Sequence, residues 1–172
     1  MNFDQQIFNT AINNGLPQAV ATNLVAQARL ESSNYSSNIF LNNNNSFGYK
    51  YVGQSLAVPG DLAPRSEWTD PGTPQYYAKY SSVEDSAQEV INWIFRRIKE
   101  GIFTMEDLAT PQGYANSFKK ADYFGESAFA YGRDLTSILK NALSNGLNFV
   151  KNNPIVSLLI IFAIFGILNK KV

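Results

Sequence analysis

One carboxylate dominates the chemistry available to the first third of this chain. Glu31 is the sole acidic residue between Asp4 and Asp61, and it closes an apolar helical stripe in which Val20, Leu24, Ala28 and Glu31 stand four, four and three residues apart. At about 100° per residue, that span returns Glu31 to within about 20° of Val20. The carboxyl is therefore expected on the apolar face of a helix, near its C-terminus. Desolvation and the partial negative charge of a helix end both push a carboxyl pKa upward. A carboxylic acid still protonated near neutrality is what a glycosidase needs to donate to a leaving oxygen. Spacing alone leaves a structural alternative open, in which Glu31 pairs with Arg29 or a later lysine, or caps the polar loop that follows.

Composition removes most competing chemistries. With no Cys and no His, thiolate metal sites and Ser-His or Cys-His nucleophiles are excluded, and no cofactor or metal is expected. Fourteen basic residues balance fourteen acidic ones, which gives no electrostatic case for nucleic acid as a partner. Acid–base work falls to carboxylates, with Tyr and Lys as helpers.

The elements that must hold Glu31 follow from periodicity. A first helix is expected over Asp4 to Asn14, stopped by Gly15. A second starts at Pro17 and runs to about Ser32. From Ser32 to Ser46, Ser or Asn fill 11 of 15 positions, which reads as a polar loop. Residues 47 to 52 and 75 to 80 are short, aromatic and alternating, and predict the strands of a small sheet. Gly53 to Pro74 between them reads as a loop carrying Asp61, Glu67 and Asp70. The capping box Ser81-Ser82-Val83-Glu84 opens a core helix through Glu100. There Trp93 is expected in the core and Arg96, Arg97 and Lys99 on a solvated face, with a role against an anionic polymer as the alternative. Thr104 and Thr110 cap two short helices, and a longer one runs from about Ser127 through Leu143. The expected class is α+β, predominantly α.

In chain order, four segments resemble the bacterial N-acetylglucosaminidase family that includes flagellar-rod muramidases, glycoside hydrolase family seventy-three. Ala28-Arg29-Leu30-Glu31-Ser32 is similar to its A-x-L-E-S segment, and Asn45-Ser46-Phe47-Gly48-Tyr49-Lys50 to its N-x-F-G-x-K segment. Tyr80-Ser81-Ser82-Val83-Glu84-Asp85-Ser86 resembles Y-x-S-x-E-x-S. Lys119 to Tyr123, with Glu126 and Tyr131, resembles Y-A-T-D-P-x-Y. The resemblance spans roughly Leu16 to Leu139. It departs from the family where Ser33-Asn34-Tyr35 replaces Gly-Trp-Gly and where Tyr123-Phe124-Gly125 keeps only the tyrosine of Y-A-T.

The resemblance implies a lysozyme-like helical body with a small β-lobe and a groove between them, and peptidoglycan glycan strands as substrate. Glu31 would protonate the glycosidic oxygen, and Glu67 would activate water or stabilise the oxocarbenium ion. Asp61 and Asp70 compete for that second place, and assistance by the substrate's N-acetyl group would make it less necessary. Tyr123 would hydrogen-bond near the N-acetyl group. Tyr35, Phe47, Tyr49 and Tyr131 would line the groove. A lytic transglycosylase shares the fold and the single Glu, and a non-catalytic virion protein with a degenerate domain is a reading from another class.

Beyond the domain, expected over residues 1–145, an Asn-rich linker (146–154) leads to Ile155–Leu168, 14 residues without a charge. As a helix this run reaches about 21 Å against a hydrocarbon core of about 30 Å. With its basic tail to residue 172 it reads as a transmembrane helix anchoring the domain in a lipid membrane. The expected setting is the virion membrane of a bacterial virus, with neighbouring virion proteins as partners, or a bacterial inner membrane.

Overall fold

The computed structural model describes residues 2–144. Eight regular elements follow one another: α1 (Phe3–Asn13), α2 (Gln18–Glu31), α3 (Asn38–Asn43), β1 (Ala57–Leu62), β2 (Tyr76–Tyr80), α4 (Val83–Lys99), α5 (Pro111–Lys120) and α6 (Ala128–Ser144), with 3-10 turns at Arg65–Glu67 and Glu106–Leu108. The result is a predominantly helical α+β domain whose only sheet among the described residues is the antiparallel pair β1–β2.

Helix α2 is the axis of the body. Every residue from Val20 to Ala28 is buried, because α1, α5 and α6 all pack against it. Three polar residues in that run each make a hydrogen bond: Thr22 Oγ1 donates to the Gln18 carbonyl at 2.8 Å, Asn23 Nδ2 to the Leu108 carbonyl at 2.9 Å, and Gln27 Oε1 accepts from the Tyr114 hydroxyl at 2.6 Å, while Gln27 Nε2 is buried without a partner. Helix α4 brings Val83, Ala87, Val90, Ile91 and Ile94 to the core, the i, i+3, i+4, i+7 face its sequence predicts.

The segment after Glu31 departs from the expected loop. Ser33, Asn34 and Tyr35 all take left-handed backbone angles (φ 52°, 56°, 65°), costly for non-glycine residues at about 1–2 kcal/mol each. The turn is held from several sides. The Ser32 carbonyl accepts from the amides of Ser36 and Ser37 at 3.0 and 2.9 Å, and Ser32 Oγ accepts from the Tyr35 amide at 2.8 Å. Arg29 grips the buried Asp4 through two bonds of 2.8 and 2.5 Å, and the Tyr35 hydroxyl donates to the same carboxylate at 2.8 Å. Ser37 then caps α3, accepting from the Phe40 amide at 3.2 Å. Ser and Asn are abundant here because their short side chains cap helices and Asn tolerates left-handed backbone.

The strand expectations need revision. Residues 47–52 form no strand and touch the sheet through one isolated bridge, Lys50 to Tyr77. The partner of β2 is instead Ala57–Leu62, within the stretch expected as a loop. What shapes 45–50 is a side chain: buried Asn45 donates to the carbonyls of Tyr49 and Ala78 (2.8 and 2.9 Å) and accepts from the amides of Phe47 and Tyr49 (3.3 and 3.1 Å). An amide side chain thus supplies bonds that a strand partner would otherwise make. The cap of α4 also shifts by one residue from the expected box, with Ser82 accepting from the Asp85 amide at 3.1 Å.

The transmembrane part of the expected fold is corrected as well. No helix among the described residues is long and apolar enough to cross a membrane; α4, for example, carries a charged face as well as a buried one. The 146–154 linker and the apolar run after it lie outside the described residues.

Candidate active site

Glu31 ends α2 at the edge of a cleft of about 440 Å³. It is lined by the turn Phe47-Gly48-Tyr49-Lys50 with Val52, by Trp93 and Arg97 of α4, and by Ala121 to Phe124 after α5. The turn approaches the acid closely at Gly48, whose backbone is left-handed (φ 67°), so that a Cβ placed there would stand 3.9 Å from Glu31 Oε2. Left-handed backbone so close to a carboxyl explains a glycine at this place.

The environment of Glu31 acts in two directions. Burial disfavours its charged form and raises its pKa, with Glu126 adding a like-charge push. Against both, the Tyr131 hydroxyl of α6 donates to Oε1 at 2.6 Å. Such a bond favours the anion while fixing the orientation of the group. The tyrosine is itself locked, stacked on Phe124 with centroids 4.1 Å apart. No lysine or arginine pairs with Glu31 among the described residues; Arg29, its neighbour in sequence, points to Asp4. The arrangement can therefore hold a proton at the mouth of a cleft and release it there.

The other residues singled out from the sequence divide between cleft and elsewhere. Phe47, Tyr49 and Tyr123 line it with Glu31. The Tyr123 hydroxyl donates to the Phe47 carbonyl at 3.3 Å, and its ring meets Tyr49, Trp93 and Phe118 edge-on at 5.6, 5.2 and 4.9 Å. Tyr131 reaches the site through Glu31 rather than by lining the wall. Tyr35 stands apart from the cleft, in an aromatic cluster with Phe3 and Phe40 at 5.3 Å from each.

Glu67 belongs to the lobe, where Lys50 pairs with it and the Tyr77 hydroxyl donates to it at 2.7 Å. The Lys50 bond holds its carboxyl below the usual range. Glu67 does not line the cleft, but Lys50 does. Asp61 accepts from Asn42 and Asn43 at 2.9 and 3.1 Å, and Asp70 closes its own turn by accepting from Gly72 and Thr73.

Sequence reasoning did not single out Asp122, the one other carboxylate lining the Glu31 cleft, and it favoured a solvated face for Arg97, which lines the cleft. It also placed Trp93 in the core alone, whereas Trp93 is buried and lines the cleft too. The available signal was the spacing of Trp93 and Arg97, four apart on one helix face.

No curated protein and no solved structure matches the chain. A family profile does: residues 9–144 match the glucosaminidase family, described as mannosyl-glycoprotein endo-beta-N-acetylglucosaminidase. The match takes in α2, the turn that faces Glu31 and all of α4 to α6. The chain thus belongs to the glucosaminidase family and is a glycoside hydrolase acting on peptidoglycan.

Proposed function

We propose that Glu31 is the general acid of this hydrolase, cutting β-1,4 bonds between N-acetylglucosamine and N-acetylmuramic acid. The observation that carries the reading is a carboxyl desolvated toward its protonated form, oriented by Tyr131, and open to a cleft of sugar size. Its proton passes to the glycosidic oxygen as the bond from that oxygen to C1 breaks, and the positive charge develops on C1 and the ring oxygen. Water then adds to C1 and returns a proton, leaving a reducing end. Tyr123 and Tyr49 offer the apolar wall against which a pyranose ring packs.

Two carboxylates stand as candidates for the second place. Asp122 is already in the cleft. Glu67, ionised on the lobe, enters the reaction when the lobe turns inward and a substrate group displaces it from Lys50, a loop movement of the kind that completes many sites on binding. Digestion of purified peptidoglycan by the wild type and by Glu31→Gln tests the reading. Release of muropeptides with reducing ends by the wild type alone supports it. 1,6-Anhydro ends would make the enzyme a lytic transglycosylase, and undegraded wall with both proteins would favour a glycan-binding role without catalysis.

A further inference from the structure

Beside Glu31 and Asp122, the cleft is lined by two cations that the cleavage of a neutral sugar polymer does not call for. Lys50 and Arg97 both line it, and each is occupied by a carboxylate that is itself substantially exposed: Glu67 on Lys50, and Glu100 on Arg97 Nη1 at 2.5 Å. Exposed pairs of this kind contribute about 0–1 kcal/mol and exchange readily for a better acceptor. Arg97 has a reason to exchange. Its Nε is buried without a hydrogen-bond partner, and a buried unpaired donor costs about 1–3 kcal/mol. Its guanidinium carbon lies 5.5 Å from the centroid of Trp93, so the side chain is supported from behind by a ring of the same cleft wall. A small rotation away from Glu100 would present two N–H groups in the fork geometry that fits a carboxylate.

Alternate sugars of peptidoglycan differ from N-acetylglucosamine by a 3-O-lactyl group, which ends either in a free carboxylate or in a peptide bearing carboxylates. We propose that Arg97, supported by Trp93 and assisted by Lys50 of the same cleft, is a specificity-determining residue that receives a carboxylate carried on this lactyl branch. It selects muramoyl-containing glycan over an unbranched N-acetylglucosamine polymer. The inference rests on the glucosaminidase reading, since it concerns the same cleft, but its test does not depend on turnover.

The full chain carrying Glu31→Gln is titrated calorimetrically with three probes of matched length: glycan strands stripped of peptide by an amidase, strands with peptides attached, and N-acetylglucosamine oligomers. At least one carboxylate-bearing probe is expected to bind about tenfold tighter than the neutral oligomer, the size of a charge-assisted Arg–carboxylate contact. Arg97→Gln collapses that difference to under about twofold, and Arg97→Lys restores part of it, because a point charge replaces the fork. Whichever acidic probe gains identifies the free lactyl or the peptide carboxylate as the source. Equal affinity for all three probes, or a preference that survives Arg97→Gln in a protein with an unchanged melting temperature, overturns the proposal. Failure of the hydrolase reading would show separately, as a wild-type protein that cuts no glycan while this binding series is unaffected.

Discussion

The helical wall and the β-lobe each present a glutamate, and the two are opposites. Glu31 is half-buried at the end of a helix packed on three sides, with a pKa raised by desolvation. Glu67 sits exposed in a short turn and is held ionised by Lys50. The same side chain is thus prepared as a proton donor on one side and as an anion on the other. The difference teaches that packing and pairing, rather than residue type, set which protonation state each carboxyl favours. Asp4, Arg29 and Tyr35 tie the turn behind Glu31 to α1, and Asp4 lies outside the segment that matches the family.

The largest test of that contrast is Glu31→Gln. It is expected to lower kcat on peptidoglycan by about 10³-fold, within the range general acid catalysis supplies, while muropeptide release by Glu67→Gln falls by about tenfold or less. Equal losses would erase the distinction between wall and lobe. Next is Asp4→Ala, which leaves Arg29 without its partner and Tyr35 without its acceptor. A loss of about 3 kcal/mol in urea unfolding is expected, against under about 1 kcal/mol for Glu67→Gln, whose pair with Lys50 is exposed.

Tyr131→Phe probes the balance on Glu31 itself. Removing a donor that favours the anion raises the Glu31 pKa further, so the basic limb of the kcat/KM profile moves to higher pH, with kcat reduced about tenfold through lost orientation. An unmoved limb would separate Tyr131 from the acid.

The smallest effect is on stability. The folded-state pKa of Glu31 is raised, so its favourable contribution is complete below the unfolded value and is lost as pH rises through the folded one. Glu31→Gln should therefore melt roughly 2–4 °C higher than wild type near neutral pH. The gain should vanish below about pH 4.3, the unfolded glutamate value. A glutamine variant that melts lower than wild type at pH 7 would contradict the desolvation on which the acid role depends.

Much of the body was legible before any coordinates. The stripe Val20, Leu24, Ala28, Glu31 ran as expected along α2, and Thr110-Pro111 marked the start of α5, while α4 started one residue beyond its expected box. The lobe was not. Residues 47–52 carry the alternation of a strand, yet Asn45 takes the amides of Phe47 and Tyr49 and only Tyr49 and Tyr51 bond to β2, while the weakly patterned Ala57–Leu62 became the strand. Gly60 shows why: a Cβ there would stand 2.3 Å from Asn43 Oδ1, a close approach between α3 and β1 that no local pattern announces.

Helix periodicity, caps and the apolar setting of Glu31 were determined by the sequence itself, because each depends on residues within about four places of one another. The donation from Tyr131 to Glu31, a hundred residues apart, was decided only when the chain closed on itself. So were the capture of Glu67 by Lys50 and the entry of Arg97 and Asp122 into the cleft. These contacts depend on how whole elements pack, and packing joins residues that share no local signal.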